Sequence, residues 1–476
     1  FFHSFTYLAR LKKTQPQKET AASARNSITE GVIWQQLLFF FFPILFGTFF
    51  QQLYNTVDAV IVGQYVGTEA LAAVGGTTGT LINLFVGFFV GLSSGATVTI
   101  SQFFGAGQHD MVSRSVHTAV AFSLVTGLAM MGIGLVGAPF ALRAMGTPEA
   151  VMDYATSYLR IYFLGIIPNL VYNMGSGILR AIGDSKRPLY FLMASCFTNI
   201  VLDMLFVVYL GMEVAGAALA TIFSQLVSAV LVVLVLTRTT ESYKLYFRKL
   251  KIESFLVKRI VQIGLPAGLQ SVMYNASNIT IQSSVNTLGT TTIAAYTAYS
   301  KIDSLFWMVM NAFGISITTF VGQNYGANKP KRVKKGVNVC LFMSFITTIL
   351  LSLLLYFFGE YIFRLFTGDG AVIESGMDIL HFMVPMFLTY ILIEIYSGSL
   401  RGIGDCWIPM ILTCLGVCVL RVAWVLIAVP LHRTMVTILV SYPLSWTITS
   451  IAFFVYFHFF SRLGRKRIPV NTDVNW

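Results

Sequence analysis

The sequence predicts an all-α integral membrane protein whose twelve transmembrane helices form two six-helix bundles. Composition, a series of apolar stretches of membrane-spanning length and an internal repeat support this fold class. Of the 476 residues, 56% are hydrophobic and only 11% are charged, and the mean hydropathy is +0.73. Soluble globular domains carry about 25% charged residues, so this composition excludes the soluble classes and places the chain in a bilayer.

Apolar stretches of about 20 residues or more, long enough to span hydrocarbon as helices, recur along the whole chain. Several exceed the length of a single crossing, which predicts tilted or kinked helices. The twelve stretches cover residues 34–62, 71–104, 115–139, 154–181, 188–209, 214–237, 260–286, 293–324, 337–358, 377–401, 408–430 and 436–460.

The basic residues fall almost entirely on one side of this topology. With the N-terminus inside, 26 of the 32 Lys and Arg residues lie in inside segments, three lie in outside loops and three lie within helices. This is the positive-inside pattern, and it predicts a multi-pass protein with both termini in the cytoplasm. The net charge of +12 is therefore interpreted as topology signals and contacts with membrane lipids, and no nucleic-acid partner is expected.

The chain contains two copies of one six-helix unit. QFFGAG at 102–107 recurs as QNYGAN at 323–328, and LRAIGDSKRP at 179–188 recurs as LRGIGDCWIP at 400–409, both with an offset of 221 residues. An even number of helices per copy gives both copies the same orientation, related by a pseudo-twofold axis along the membrane normal. A cleft between two such bundles can open alternately to either face.

The repeat divides the chain into five parts, two of which are the copies themselves. A basic stretch joins the copies, and polar tails precede and follow them. The parts are a cytoplasmic N-terminal tail (1–33), an N-terminal lobe (34–237), a basic cytoplasmic linker (238–259), a C-terminal lobe (260–460) and a cytoplasmic C-terminal tail (461–476).

Two carboxylates inside apolar helices are the strongest indication of function. Asp58 and Asp203 lie at a similar predicted depth in the outer half of the membrane, whereas their repeat counterparts are Thr280 and Trp424. A carboxylate in hydrocarbon costs at least about 2.5 kcal/mol, so it persists where a proton, an ion or a water-filled cavity accommodates it. Two interpretations follow: ion or proton coupling confined to the first half, or helix-end residues that are hydrogen-bonded to loops.

Other polar residues share helical faces with these acids. Gln51, Tyr54 and Asp58 are spaced i, i+3 and i+7, and Asn199 lies one turn before the second acid. Pro43 precedes Asp58 in the same helix and removes a backbone hydrogen bond, which permits a kink. Binding of a proton or Na⁺ would remove a buried charge and change the shape of this weakened helix.

In combination, these motifs resemble the multidrug and toxic compound extrusion (MATE) family over roughly residues 30–460. The resemblance rests on Pro43 with Tyr54 and Asp58, on VGTEALAAVG, on the paired QFFGAG and LRAIGD turns and on the NIVLD run that ends at Asp203. It points to the prokaryotic branch that carries its cation site in the N-terminal lobe. The residues that match that site are Tyr54, Asp58, Asn173, Asn199, Asp203 and Thr221.

A second branch of the family places essential acids in the C-terminal lobe, and there this chain departs from the pattern. Tyr274 and Tyr390 stand where that branch has acids, and Glu394 lies one turn from Tyr390. Three roles for Glu394 stay open: replacing the missing acid, neutralising a cationic substrate, or pairing with Arg421 as a structural ion pair.

The resemblance implies a secondary efflux antiporter in the cytoplasmic membrane of a prokaryote. Such a protein exports organic, often cationic compounds in exchange for H⁺ or Na⁺ by alternating access, and it is not an enzyme. We expect a functional monomer with no cofactor other than the coupling ion and no structural metal. Na⁺, if it is the coupling ion, would bind at Asp58 and Asp203.

The substrate cleft of such a transporter should present aromatic, Met and amide side chains, because these offer adaptable apolar area with a few hydrogen-bonding groups. The sequence offers candidates in both halves. They are Gln51, Tyr274, Asn275, Asn278, Gln282, Met308 and Glu394.

The nearest alternative is a flippase for a lipid-linked oligosaccharide or cell-wall precursor, which would share a similar pair of bundles. A pyrophosphate substrate would need several cations in the cleft, and the candidates within helices are Arg160, Lys301 and Arg421. A membrane-embedded enzyme would need a catalytic cluster such as HExxH, and the six histidines form none.

Overall fold

The computed structural model describes residues 28–365 and 367–463, and within those ranges the chain forms helices and turns but no strand. Helices are numbered here in chain order. The first half contains α1 (Ile33–Tyr65), α2 (Thr68–Gly75), α3 (Thr77–Gly105), α4 (His109–Ala144), α5 (Glu149–Leu164), α6 (Ile166–Ala181), α7 (Lys186–Asp203) and α8 (Glu213–Arg238). The second half contains α9 (Ser254–Val285), α10 (Thr290–Gly326), α11 (Pro330–Arg364), α12 (Gly370–Met386), α13 (Ile391–Gly402), α14 (Trp407–Thr413), α15 (Leu420–Leu431) and α16 (Met435–Val455).

Several helices continue one another across a short irregular turn. Helices α5 and α6 meet at Gly165, and a 3₁₀ turn, Phe387–Thr389, joins α12 to α13. A π-helical turn, Met204–Tyr209, extends α7, and another, Cys414–Val419, joins α14 to α15. With these joins counted, and with α2 continuing into α3 at Gly76, each half of the described chain contains six long helical stretches.

The all-α membrane fold predicted from composition is confirmed. By length and apolar composition, ten helical segments of the described residues can cross a membrane. The other two predicted crossings fall on α5–α6, which Gly165 interrupts, and on α9, and these two are not among the ten segments. The division into tails, lobes and linker stays a prediction, and residues 1–27 and 464–476 of the tails lie outside the described residues.

The repeated turns have the same backbone conformation in both halves. Gly183 and its counterpart Gly404 both have positive φ, +99° and +88°, and each ends a helix at the LRxIGD motif. In each turn the aspartate N–H that follows donates to a leucine carbonyl, from Asp184 to Leu179 at 2.9 Å and from Asp405 to Leu400 at 3.0 Å. These are the left-handed helix ends that glycine favours, so the sequence repeat is also a structural repeat.

The two halves pack along α3, which runs against both α9 and α10 of the second half. Glycines allow the close approach: a Cβ atom at Gly91 would overlap the backbone of Gly268, and one at Gly95 would overlap that of Gly264. Small residues at a helix interface let two backbones come together in a membrane. This seam occupies the part of α3 that leads to the QFFGAG turn.

We call the end of the bundle that carries the QFFGAG and LRxIGD turns and the connection 239–253 between α8 and α9 the basic face. There the halves are joined by reciprocal hydrogen bonds. Gln102 Nε2 donates to the Gly402 carbonyl at 2.8 Å, and Gln323 Nε2 donates to the Ala181 carbonyl at 2.6 Å. The two donors, Gln102 and Gln323, are 221 residues apart, and so are the two acceptors, Ala181 and Gly402, as the predicted pseudo-twofold axis requires. We refer to these two hydrogen bonds as the closure contacts.

Candidate functional site

Two buried carboxyl groups meet in the first half of the chain. Asp58 projects from α1 and is 5% exposed, and Asp203 ends α7 and is fully buried. Their carboxyl groups are close enough to interact electrostatically. The structure therefore brings together the two acids that the sequence singled out, and places them inside the protein rather than in loops.

The polar atoms of this acid pair have few donors around them. Among the described residues, Oδ1 of Asp58 and both carboxyl oxygens of Asp203 accept no hydrogen bond, and neither polar side-chain atom of Asn199 has a partner. Buried polar groups in proteins almost always have partners, so such a cluster calls for an explanation. Two ionised carboxylates can only accept, and a shared proton or a bound cation would satisfy both. Carboxylate and amide oxygens are also the ligands that hard cations prefer.

Hydroxyl and amide groups from two further helices surround the pair. Tyr158 on α5 interacts with Asp58 and with Thr221 on α8, and Tyr54 on α1 also lies near Asp58. One turn further along α5, Tyr162 interacts with Gln225 of α8. Sequence reasoning missed Tyr158, Tyr162 and Gln225. The signal that could have found them is the i, i+4 spacing of Tyr158 and Tyr162 on one face of α5 and of Thr221 and Gln225 on one face of α8.

The contacts of Asn173 and Gln51 are with residues other than the two acids, and neither residue lines the larger cavity described below. The Asn173 amide donates to Asn169 Oδ1 at 2.8 Å, and the residue borders a small space beside α3 and α4. The Gln51 side chain interacts with Tyr54. Both predicted roles stay predictions, because this arrangement shows neither residue in contact with a carboxylate.

Backbone irregularities adjoin the polar residues of both lobes. The π-helical turn Met204–Tyr209 begins directly after Asp203, and the turn Cys414–Val419 ends two residues before Arg421. Turns of this kind are often found at functional sites, because they re-aim side chains and weaken the helix locally. Helix α1 is continuous through Pro43, and the predicted kink at that residue stays a prediction.

A larger cavity, of about 620 Å³, lies mainly within the second half. Its walls come from α1, α9, α10, α13, α15 and α16 and from Tyr390, which precedes α13. Five of the predicted cleft residues line it: Tyr274, Asn278, Gln282, Met308 and Glu394. Gln51 and Asn275 do not, and the Asn275 amide donates instead to the Ser271 carbonyl at 2.9 Å.

Charged side chains of both signs face this cavity. Asp303 accepts hydrogen bonds from Trp307 Nε1 at 2.7 Å and from the Tyr299 hydroxyl at 3.1 Å. Glu394 accepts one from the Tyr390 hydroxyl at 3.0 Å. Sequence reasoning missed Asp303, although it is an acid inside an apolar helix, the criterion that had singled out Asp58.

Arg421 is the cation that lines the cavity, and it is 2% exposed. The ion pairs within 4.0 Å among the described residues do not include it, so a structural pair between Arg421 and Glu394 is not observed there. Arg160 and Lys301 are exposed and lie outside the cavity lining. A single arginine does not provide the several cations that a pyrophosphate-binding flippase would need.

Two equivalent membrane lobes, an acid pair in one and a drug-sized cavity in the other define a multi-pass membrane transporter rather than an enzyme. A family model for MatE matches residues 43–205 and again 266–427, which is more than half of the chain and once per lobe. The chain belongs to the MatE family, as its resemblance to MATE transporters predicted.

Individual relatives agree with this assignment. The probable multidrug resistance protein YoeA of Bacillus subtilis is 28% identical over 443 residues, which is 90% of this chain and 94% of that protein. A FAD transporter of Shewanella oneidensis is 25% identical over 74% of this chain and 78% of its own length. A MOP superfamily transporter from Pyrococcus furiosus has the same fold, with a TM-score of 0.83 at 22% identity over 90% of this chain and 96% of its own.

Proposed function

We propose that this protein is a secondary multidrug efflux antiporter, which exports organic compounds in exchange for H⁺ or Na⁺ at the Asp58–Asp203 pair. The observation that carries the proposal is the proximity of two buried carboxyl groups, three of whose oxygens accept no hydrogen bond among the described residues. Such a pair changes its net charge when it takes up a proton or a cation, and a buried charge is costly enough to bias a conformational equilibrium.

Coupling would connect this charge to the shape of the first lobe. Binding of the ion would pull α1 and α7 together through their carboxyl groups, and the π-helical turn after Asp203 gives α7 a place to adjust. Release of the ion on the opposite side of the membrane would let α1 and α7 move apart again. One elementary charge moving through 100 mV supplies roughly 2.3 kcal/mol, which is more than a tenfold concentration gradient requires.

The second-lobe cavity is the proposed substrate site. Its volume of about 620 Å³ falls within the roughly 300–1,000 Å³ of drug-sized pockets, and its lining combines aromatic walls with a few polar groups. The relatives named as multidrug resistance proteins support a broad organic substrate range. The relative named as a FAD transporter indicates that substrates differ among members of the family.

The proposed location is the cytoplasmic membrane of a prokaryote, with the basic face in the cytoplasm and the protein acting as a monomer. The excess of Lys and Arg on that face supports the orientation. The closure contacts join the two halves at the basic face, and the polar cavity is lined by residues of the half of the bundle away from it. This is the arrangement expected of an outward-facing state in alternating access.

Transport in proteoliposomes with separately imposed pH and Na⁺ gradients tests the proposal. We expect substrate efflux driven by at least one gradient, and a loss of at least about tenfold in Asp58→Asn and in Asp203→Asn, because an amide cannot exchange a charge with the gradient. Asp110→Asn is the matched control: its side chain is 84% exposed at the basic face, and the substitution removes the same charge.

Substrate binding measured without a gradient separates coupling from folding. Both site variants should still bind substrate, since the cavity lies in the other lobe. Gradient-driven efflux at wild-type rates in both Asp58→Asn and Asp203→Asn would contradict the coupling site. In the wild-type protein, comparing the efflux rate under the pH gradient with the rate under the Na⁺ gradient identifies the coupling ion.

A further inference from the structure

The strongest unexplained feature of the second lobe is the environment of Arg421. Its guanidinium lies 4.2 Å from the centre of the Tyr442 ring and 5.8 Å from that of Trp446. Nη2 donates to Ser445 Oγ at a long 3.5 Å, and Nε donates to no acceptor among the described residues. The arginine is thus held by aromatic faces, and among the described residues it makes no ion pair within 4.0 Å, although Asp303 is near enough to interact with it electrostatically.

Burial of a guanidinium without a directly hydrogen-bonded carboxylate is costly, and stacking on aromatic rings offsets only part of that cost. Because Arg421 borders the cavity, an anionic group in the cavity could reach it. Guanidinium groups bind carboxylates with two parallel hydrogen bonds, so a carboxylate on a ligand would supply the missing partner.

The two acids of the cavity provide the opposite charge. Asp303 and Glu394 are each held by hydrogen bonds from neighbouring aromatic side chains, which fixes the direction of their carboxyl groups. A Cβ atom at Gly314 would overlap Glu394 Oε1, so the absence of a side chain there makes room for this acid. Both acids can therefore face a cationic group of a ligand while Arg421 faces an anionic one.

Aromatic rings line the cavity beside these charges. Tyr274, Tyr296 and Trp307 line the cavity together with the charged residues. Flat aromatic ligands pack well against such rings, and a cationic ring system gains further from their negative faces.

We propose that the second-lobe cavity selects aromatic zwitterions, with Arg421 binding the carboxylate of the substrate and Asp303 and Glu394 facing its cationic group. This inference rests on the proposed function, since it names the substrate class of the same cavity. It assigns to Arg421 a specificity-determining role, distinct from the coupling role of the acid pair in the first lobe.

A matched pair of dyes tests this assignment. Tetramethylrhodamine has a cationic ring system and a free carboxylate, and its methyl ester has the same rings without the negative charge. Binding of each dye to the purified full-length protein in nanodiscs is measured by fluorescence polarisation. We expect the wild-type protein to bind the free acid at least about tenfold more tightly than the ester.

Variants then assign that preference to one residue. Arg421→Gln should remove the preference for the acid and leave ester binding unchanged or stronger, whereas Arg421→Lys should retain part of the preference. Lys301→Gln is the control for charge, because Lys301 is an exposed cation on α10 outside the cavity lining. Asp303→Asn should weaken binding of both dyes, since both carry the cationic ring system.

Equal binding of the two dyes by the wild-type protein, or tighter binding of the ester, would overturn the proposal even if Arg421→Gln did not fold. An equal loss of both dyes in a folded Arg421→Gln protein would also overturn it, since that result would make Arg421 a structural residue. The assay uses no ion gradient, so a failure of the Asp58–Asp203 coupling would appear in transport and leave these binding results intact.

Discussion

The two lobes are alike at the basic face and differ in their interiors. At the basic face, Gln102 and Gln323 hold carbonyl oxygens of the opposite lobe, and the donors and acceptors are all related by one offset. In the interior, Asp203 of the first lobe corresponds to Trp424 of the second, whose Nε1 donates to the Thr437 carbonyl at 2.9 Å. The duplicated positions thus close the bundle, and the positions that diverged carry the charges.

Helix α7 and its repeat counterpart α15 carry buried charges of opposite sign at neighbouring levels. In α7 the charge is the acid Asp203, with the neutral Asn199 one turn before it. In α15 the position of the acid is held by Trp424, and the charge is Arg421, about one turn before it. Because the closure contacts are symmetric, both halves contribute equally to closing the basic face. Because the interiors of the two lobes differ, one lobe can bind a coupling ion while the other binds a substrate. The difference indicates that the lobes share the mechanical part of transport and divide its chemistry.

The largest effect should come from glycines that the closure requires. A Cβ atom at Gly105 would overlap the Gln323 carbonyl oxygen, and its repeat mate Gly326 has the same relation to the Gln102 carbonyl. Gly105→Val and Gly326→Val should therefore each prevent closure of the basic face, since neither clash involves a movable side chain. Overpacking usually costs about 1–3 kcal/mol, and backbone clashes lie at or above that range.

Distances between spin labels on the two LRxIGD turns would measure closure in these variants. Both should shift the distance distribution toward an open basic face, and to a similar extent. Gly132→Val is the control, because a Cβ atom there has no neighbour within 4 Å. A large shift in one variant and none in the other would contradict the inference that the two halves contribute equivalently to closing the basic face.

A smaller effect is expected from the closure contacts themselves. Gln102→Ala and Gln323→Ala each remove one hydrogen bond to a buried carbonyl, worth about 0.5–1.5 kcal/mol. Gln102 Oε1 also accepts from Arg259 Nη2 at 2.6 Å, so Gln102→Ala should open the basic face more than Gln323→Ala. The same label distances report the populations, and an equal shift in both variants would show that the Arg259 contact contributes nothing to closure.

The sequence allowed the fold and the acid pair to be predicted for separate physical reasons. Hydrocarbon thickness fixes the length of a crossing, so composition alone indicates the helices, and the repeated turns indicate the symmetry. Asp58 and Asp203 stand out because carboxylates are rare in apolar helices. Their neighbours Tyr158 and Tyr162 do not, since tyrosine is common in membrane helices and its role depends on the partner helix.

The second-lobe cavity was harder to predict because its shape depends on packing between helices that are distant in sequence. Tyr274 and Glu394 were found through their spacing and polarity. Asn275 is adjacent to Tyr274, yet a rotation of about 100° per residue turns it toward the glycine seam on α3. Whether Arg421 had a partner could be decided only from the three-dimensional arrangement.

The smallest effect should come from the linker, which has no counterpart in the repeat and is tied to the first lobe. Arg114 on α4 donates to Glu253 at 3.0 Å, and Thr118 donates to the Lys251 carbonyl at 3.1 Å. The hydrogen bonds from Arg114 hold the pKa of Glu253 below its ordinary value. Because the folded-state pKa is the lower one, the stabilisation is complete above the unfolded-state pKa of about 4.3 and is lost as pH falls through the folded-state value.

Glu253→Gln should therefore destabilise the protein near pH 7 by at most about 1 kcal/mol, since the pair is partly exposed, and by less as the medium becomes more acidic than the unfolded-state pKa. Thermal unfolding in detergent at neutral and acidic pH measures this difference. Glu360→Gln serves as the control: it breaks an exposed pair with Arg364 within α11, away from the linker. A destabilisation by Glu253→Gln that is the same at both pH values would show that the side chain acts through packing, and the linker would then not be held to the first lobe by charge.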